Sequence, residues 1–387
     1  MTSLDLGALR RRPDIEAPNL VAVDAADRLM LDTAAAALTA SRPGSVAVIG
    51  DGFGALTLGA IASGARDVRV HQDALLAERA LAANAAELGM TGFASLNLEA
   101  DLVTDASLVL LRLPKSLDQL DEWAGLIAAH AAPDVVVYAG GMVKHMTLAQ
   151  NEVLAKHFGS VQAGLARQKA RVVTAAGAGA PGSRDAVGSR DAAGPAGAAW
   201  PRTARVDPPG ITVAAHGGVF AGASLDIGTR FLLEHLGDAR PAARTAIDLG
   251  CGTGVVAAAI AAARPGVRVL ATDQSAAAVA SARETMRLNG LTDRVTVARD
   301  DALESLPDAS AELILLNPPF HTGTTVTAEV GLRLIADAAR VLLPGGELRV
   351  VFNSHVHYQP TLRRLVGETR QVARNSKFTI TSSVKRA

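Results

Sequence analysis

Leu313-Ile314-Leu315-Leu316 is apolar at four successive positions, with no polar residue alternating between them. A strand covered on both faces reads this way, as in a parallel sheet flanked by helices. The run 108–111 is the same, and 245–249, 267–272, 295–298 and 348–352 are mostly apolar stretches of strand length. Between the second and third of these lies an alanine-rich stretch, 255–263, that predicts a helix. Strands alternating with helices predict an α/β chain with doubly wound, mostly parallel sheets.

The pattern occurs twice, at an offset of about 200 residues. Val48-Ile49-Gly50-Asp51-Gly52-Phe53-Gly54 falls on Asp248-Leu249-Gly250-Cys251-Gly252-Thr253-Gly254. His71-Gln72 falls on Thr272-Asp273, and the stretch 108–115 falls on 313–320. The turn glycines are kept. Val48 stands for Asp248, Gln72 for Asp273 and Arg112 for Asn317, and only Pro114 persists from a double proline. The second half therefore predicts the working copy and the first a degenerate one; two unrelated α/β domains sharing a common turn are the alternative.

In the second half a strand, a glycine-rich turn and a helix follow one another. Gly250, Gly252 and Gly254 allow close backbone approach to a ligand, and the helix start offers free N–H groups to a carboxylate or phosphate. Asp273 ends the next strand, where an acid can take both ribose hydroxyls of a nucleoside. The dinucleotide fingerprint needs Gly or Ala at position 255, where Val255 stands, which disfavours NAD. Asp301 follows a strand and is placed to accept from an adenine amine, or to cap a helix in water.

The strand 313–316 runs into Asn317-Pro318-Pro319-Phe320. In an open α/β sheet, ligands bind beyond the carboxyl ends of the strands. A planar exocyclic amine is a poor nucleophile, because its lone pair is delocalised into the ring. The Asn317 amide oxygen and a carbonyl beside the prolines can accept its two N–H bonds and localise that pair. Pro318 and Pro319 fix the backbone, and Phe320 offers a face to a flipped base. An ordinary Pro-Pro turn is the alternative.

Asp248-x-Gly250-x-Gly252-x-Gly254, Asp273, Asp301 and Asn317-Pro318-Pro319-Phe320 together resemble the class I S-adenosylmethionine-dependent methyltransferases. Asn-Pro-Pro-Phe-His, with Gly218-Val219-Phe220 and Leu225-Asp226-Ile227-Gly228 upstream, is similar to bacterial ribosomal RNA guanine-N2 methyltransferases. Asn353-Ser354-His355, Tyr358, Asn375-Ser376-Lys377-Phe378, Pro114-Lys115 and Gln168-Lys169-Ala170-Arg171 resemble the large-subunit (23S) group more than the small-subunit (16S) one. The resemblance implies two tandem Rossmann-like domains, the first degenerate, and methyl transfer to a guanine N2 amine of rRNA. It implies that Asp248 and the glycines 250–254 bind S-adenosylmethionine, the glycines at its methionine end, with Asp273 on the ribose and Asp301 with Gln274 on the adenine. Phe220 either closes over the cofactor or packs in the core. Adenine N6 or protein glutamine as methyl acceptors, and a non-catalytic RNA-binding protein, remain as other readings.

Composition adds the organisation. The chain has 387 residues, which suits two domains: 1–174, and a catalytic domain at 211–387. Between them, 175–210 is rich in Gly, Ala and Pro and predicts a flexible linker. Lys plus Arg and Asp plus Glu are both 38, so overall charge gives no RNA signal. Locally, 138–174 has five basic residues and one acid, and 361–387 has seven and one. Lys144, Lys169, Arg171, Arg374 and Lys377 are the candidate RNA contacts; solvated charges are the alternative. The single cysteine, Cys251, cannot form an internal disulfide and reads as a small residue that fits the turn. His321 follows the Asn-Pro-Pro-Phe loop, and His355 with His357 lacks a further acid or cysteine at ligand spacing, so no metal is expected. With no signal peptide and no span-length apolar stretch, a cytoplasmic location without membrane is expected, and no obligate protein partner is inferred.

Overall fold

In a computed structural model, residues 4–178, 200–318 and 325–387 are described, the last of these by backbone alone up to 328. The chain divides into two units, Met1–Trp200 and Pro201–Ala387. The first unit contains α1 (Ala25–Thr39), β1 (Val46–Ile49), α2 (Ala55–Ala62), β2 (Val68–His71), α3 (Leu75–Glu87), β3 (Phe93–Ser95) and α4 (Ala100–Val103). It continues with β4 (Leu108–Arg112), α5 (Leu117–His130), β5 (Val136–Met142), α6 (Leu148–His157), β6 (Phe158–Ala163) and β7 (Ala170–Ala178). The second unit opens on β8 (Arg202–Val206) and β9 (Ile211–Ala215), an antiparallel hairpin. Then come α7 (Ile227–Leu233), β10 (Thr245–Leu249), α8 (Val255–Ala263), β11 (Arg268–Asp273), α9 (Ala276–Leu288), β12 (Val295–Arg299) and β13 (Ala311–Leu316). It closes with α10 (Thr325–Val341), β14 (Leu342–Asn353), α11 (Gln359–Leu365), β15 (Gly367–Arg374) and β16 (Phe378–Lys385).

Each unit builds a seven-stranded sheet. The orders are β3-β2-β1-β4-β5-β7-β6 and β12-β11-β10-β13-β14-β16-β15. Adding nine to every index of the first gives the second. In both, five strands are parallel and the last two pair antiparallel. The α/β architecture expected from the sequence is therefore present twice.

The unbroken apolar strands follow from burial on both faces. Leu313 and Leu315 of β13 pack with Ala246, Val256 and Ala257 in one cluster. Ile314 and Leu316 pack with Ile247, Leu249 and Ile335 in another. Side chains alternate across a strand, so one run feeds two cores. On β14, Arg349 falls among the buried positions of the first face, fully enclosed. It is satisfied there by Glu347 at 2.8 Å, Asp238 at 2.6 Å and the His235 carbonyl at 2.5 Å.

The expected linker, 175–210, needs correction at both ends. Residues 175–178 complete β7, paired with β5 at 175–176 and with β6 as far as 178, and Arg202–Val206 is β8, paired with β9. Backbone hydrogen bonding to a neighbouring strand outweighs the small, weakly apolar side chains there. Asp273 is the last residue of β11, where the sequence places it.

Candidate active site

The carboxyl ends of β10, β11 and β13 carry the predicted residues. After β10 the chain turns sharply. The Gly250 and Cys251 N–H groups both donate to the Thr272 carbonyl, at 2.8 and 2.9 Å. Gly254, with φ +76°, caps α8, and a Cβ there would lie 2.9 Å from both Ala282 Cβ and Met286 Cε. It is glycine because α8 must pack closely on α9. At Gly250 and Gly252 an added Cβ would meet nothing within 4 Å, so the turn borders open space.

Asp248 lies behind this turn. It is buried, and its Oδ2 accepts the Ala257 N–H at 2.9 Å, holding the first turn of α8. Burial pushes its carboxyl up to about 7; the Ala257 bond opposes the rise and the Asp273 charge adds to it. Asp273 holds the loop from the front. Its Oδ2 accepts from Gly252 N at 3.0 Å and its Oδ1 from Ser275 N at 2.9 Å. Gln274 is exposed, and its carbonyl accepts from Arg299 Nε at 3.2 Å. Asp301 is buried and ion-paired with Arg333 of α10. Its neighbour Asp300 was not singled out in the sequence. That carboxylate accepts from Asp301 N at 2.9 Å and Ser305 Oγ at 2.8 Å, fixing the turn that presents Asp301. Burial, then the charges of Asp273 and Asp248, raise the Cys251 thiol well above its ordinary value, which agrees with a space-filling role.

Asn317 directly follows β13. Its Nδ2 donates to Thr229 Oγ1 at 2.9 Å and Asp226 Oδ2 at 3.3 Å. A carboxylate only accepts, so the amide orientation is fixed by these partners. The other end of the amide, Oδ1, is buried and has no hydrogen-bond partner among the described residues. Asp226 is the N-cap of α7, accepting from Thr229 N at 3.0 Å. A Cβ on Gly228 would lie 3.1 Å from Asp226 Oδ2, 3.2 Å from Phe378 Cε1 and 3.6 Å from Asn317 Oδ1. Gly228 thus marks where these three groups converge. Phe378 is set there by the turn before β16, where Asn375 Oδ1 accepts from Lys377 N and Phe378 N at 2.9 and 2.7 Å. Pro318 is buried; Pro319, Phe320 and His321 lie outside the described residues. Phe220 is 58% exposed, which rules out core packing for it.

The first unit keeps the frame and fills it. Asp24 is the N-cap of α1, as Asp226 is of α7. Arg112 ends β4, and Asn317 directly follows the equivalent β13. Arg112 donates to Asp24 Oδ1 at 2.9 Å, Asp24 Oδ2 at 2.5 Å and Asp27 Oδ1 at 2.7 Å. Burial opposes ionisation of both acids; the Arg112 bonds overcome it at Asp24, whose pKa is lowered, but not at Asp27, pushed up to about 6. Over the glycine turn, a Cβ on Gly50 would strike the Trp123 ring at 3.1 Å. Gln72 donates to the Asp51 and Ala77 carbonyls, at 2.9 and 3.0 Å. Asn84 ties Arg10 to the Phe53 carbonyl, and the Arg11 guanidinium lies 4.3 Å above the Phe53 ring.

Lys144 and Lys169 are exposed and lie together where β5 ends and β7 begins; Val143 N donates to the Lys169 carbonyl at 2.8 Å. Arg374 and Lys377 are exposed at the β15–β16 turn, at the same end of the second sheet as Asn317. Arg171 differs from expectation. It is half-buried opposite Gly141, and its Nε is buried without a partner among the described residues. Among the described residues no cluster of His, Cys, Asp or Glu suits a metal ion, and no helix is long and apolar enough to cross a membrane.

Residues 2–178 match the family described as RLMG N-terminal domain, and 210–382 match Methyltransferase small domain. A ribosomal RNA large subunit methyltransferase G of Streptomyces avermitilis is 36% identical over 385 residues, covering 98% of this chain and 97% of that one. The protein of the same name from Pseudomonas entomophila is 36% identical over 380 residues, covering 97% of each. The solved T. thermophilus 16S rRNA N2 G1207 methyltransferase, in complex with AdoMet and guanosine, shares the fold. Its TM-score is 0.72 at 22% identity, over 94% of this chain and 92% of that one. The chain belongs to the ribosomal RNA large subunit methyltransferase G family.

Proposed function

We propose that this chain transfers a methyl group from S-adenosylmethionine to the exocyclic N2 amine of a guanine in large-subunit ribosomal RNA, and that the second unit alone does the chemistry. The observation that carries the reading is Asn317 Oδ1, a buried acceptor with no partner among the described residues, its amide held by Thr229 and Asp226. A buried acceptor left unsatisfied costs about 1–3 kcal/mol, which a donor arriving from the substrate restores.

The residues suit the cofactor. The turn at Gly250 and Gly252 borders open space, and the Asp273 carboxylate is held at its edge. The loop 250–254 would take the methionine end, Asp273 the ribose hydroxyls, and Asp301 with Gln274 the adenine. Asp248 supports α8 from behind. The cofactor supplies a methyl group already activated on a sulfonium, so alignment and exclusion of water are what the chain must add. Asn317 Oδ1 and the Pro318 carbonyl accept from the target amine and localise its lone pair on nitrogen. The amine proton then leaves to water, so no tuned general base is needed. Phe320 provides the stacking face, with Phe378 beside Asn317. Lys144, Lys169, Arg374 and Lys377 bind phosphates.

The test is incubation of the protein and labelled cofactor with protein-free large-subunit and small-subunit rRNA, separately, followed by mapping of the methylated nucleoside. N2-methylguanine in the large-subunit RNA alone is expected. Methylation of small-subunit RNA, of adenine, or of neither RNA refutes the reading. Asn317→Ala should lower kcat at least about tenfold, since about 1.4 kcal/mol of transition-state stabilisation is lost, while cofactor affinity stays the same.

A further inference from the structure

Resting on the guanine-N2 reading above, we propose that Asp226 is the residue that selects guanine, by accepting its N1–H while Asn317 accepts the neighbouring N2–H. Three observations lead there. The Asp226 carboxylate lies against the Asn317 amide, and both converge with Phe378 at Gly228. Among the described residues its carboxylate hydrogen bonds all fall on Oδ2, from Thr229 N, Thr229 Oγ1 and Asn317 Nδ2, which leaves Oδ1 available. In the first unit the equivalent Asp24 gives both oxygens to Arg112. The closed copy has therefore consumed the acceptor that the open copy keeps.

The chemistry of the bases makes such a pair selective. Guanine presents two adjacent donors, N1–H and N2–H, to a pair of acceptors. Adenine and cytosine each place a ring nitrogen lone pair beside their exocyclic amine. That lone pair would face a carboxylate with no proton between them, and a site built to accept a hydrogen bond rejects a partner that lacks it. The N-cap duty and the base-reading duty use different oxygens, so one side chain serves both.

The test uses 2,6-diaminopurine, which keeps the N2 amine and has an acceptor at N1. Protein-free large-subunit rRNA is prepared with either guanine or 2,6-diaminopurine at the mapped target, by ligating a synthetic segment. Wild type should methylate the guanine RNA roughly 10- to 100-fold faster in kcat/KM. Asp226→Asn keeps an oxygen for Thr229 N and Asn317 Nδ2, and Asn is a good N-cap, so the fold is retained. Its amide nitrogen replaces Oδ1 and turns an acceptor into a donor. The preference should shrink by at least about tenfold or invert toward 2,6-diaminopurine. A purely structural role for Asp226 moves both substrates together and leaves their ratio alone.

Equal wild-type rates on the two RNAs overturn the proposal, and this measurement needs no variant. A variant ratio equal to that of wild type overturns it too, as does loss of turnover on both RNAs with S-adenosylmethionine binding intact. Wild type leaving the guanine RNA unmethylated refutes instead the function on which the proposal rests.

Discussion

Asp248→Asn should stabilise the second unit, and by more as the pH rises. The Asp248 carboxyl is buried, and burial pushes it up to about 7. In the unfolded chain an aspartate titrates near 3.9. Between these values the folded state holds a proton that the unfolded state has released, so stability falls as pH rises through the window. The gap of about 3 units, at about 1.36 kcal/mol each, makes the cost on the order of 4 kcal/mol above pH 7. At about pH 5 the same expression gives roughly 1.5 kcal/mol, so the advantage of Asn should grow by about 2.5 kcal/mol between about pH 5 and pH 8. Asn keeps an oxygen for the Ala257 N–H, so the start of α8 survives the change. Two units preclude a single unfolding free energy, so the assay is urea-dependent hydrogen exchange read on peptides from β10 and β13. A difference that stays within about 0.5 kcal/mol across that range would refute the reasoning, because the carboxylate would then ionise in the fold at little cost. Cofactor affinity should change little. If it collapses instead, the carboxylate touches the cofactor directly.

Asp273→Ala should abolish S-adenosylmethionine binding, and calorimetry on wild type should find one site per chain; a second site of similar affinity would mean that the Gln72 copy is open after all. Arg112→Ala should destabilise the first unit by about 3–5 kcal/mol, because it strands two partly buried carboxylates, and should leave cofactor affinity unchanged; exchange on α1 and β4 peptides reads this. Lys144→Glu with Lys169→Glu should weaken rRNA binding and reduce its salt slope by about one per lost phosphate contact, with stability within about 0.5 kcal/mol of wild type; an unchanged slope would take these lysines off the RNA.

Much of the frame was legible in the sequence because its causes are local. The helix 255–263 is read from composition and a glycine turn, and Asp273 from its place after a strand. The support of Asn317 was not legible. Asp226 and Thr229 lie about ninety positions upstream, and an Asp with a hydroxyl three residues later reads only as a helix cap. Arg349 was missed for a related reason. A charge within a strand signals an exposed face, unless two distant acids and a carbonyl meet it. Positional alignment also misjudged the first copy. It set Val48 against Asp248 and counted the acid as lost. Asp51, three residues on, accepts from Thr57 N at 2.8 Å, the place at which Asp248 accepts from Ala257 N. The support of the helix start was transferred, and only the open space was given up.

This transfer separates two kinds of constraint on the same motif. The first copy retains what the fold needs: glycines that admit the turn, an acid beneath the helix start, and an acid at the N-cap facing the end of the fourth strand. It differs where the second copy leaves something unsatisfied. Asn317 carries an orphaned oxygen, whereas Arg112 spends its donors on Asp24 and Asp27. Gly250 borders empty space, whereas Gly50 lies under Trp123. A buried acceptor without a donor and a concavity without a side chain both work against stability. Once a copy no longer meets a ligand, substitutions that fill such defects stabilise it at no functional cost. The places where the two units disagree therefore point to the ligand, and the places where they agree point to the fold. By that criterion Asp226 belongs with the ligand, because it faces the same way as Asp24 and differs only in having an oxygen left over.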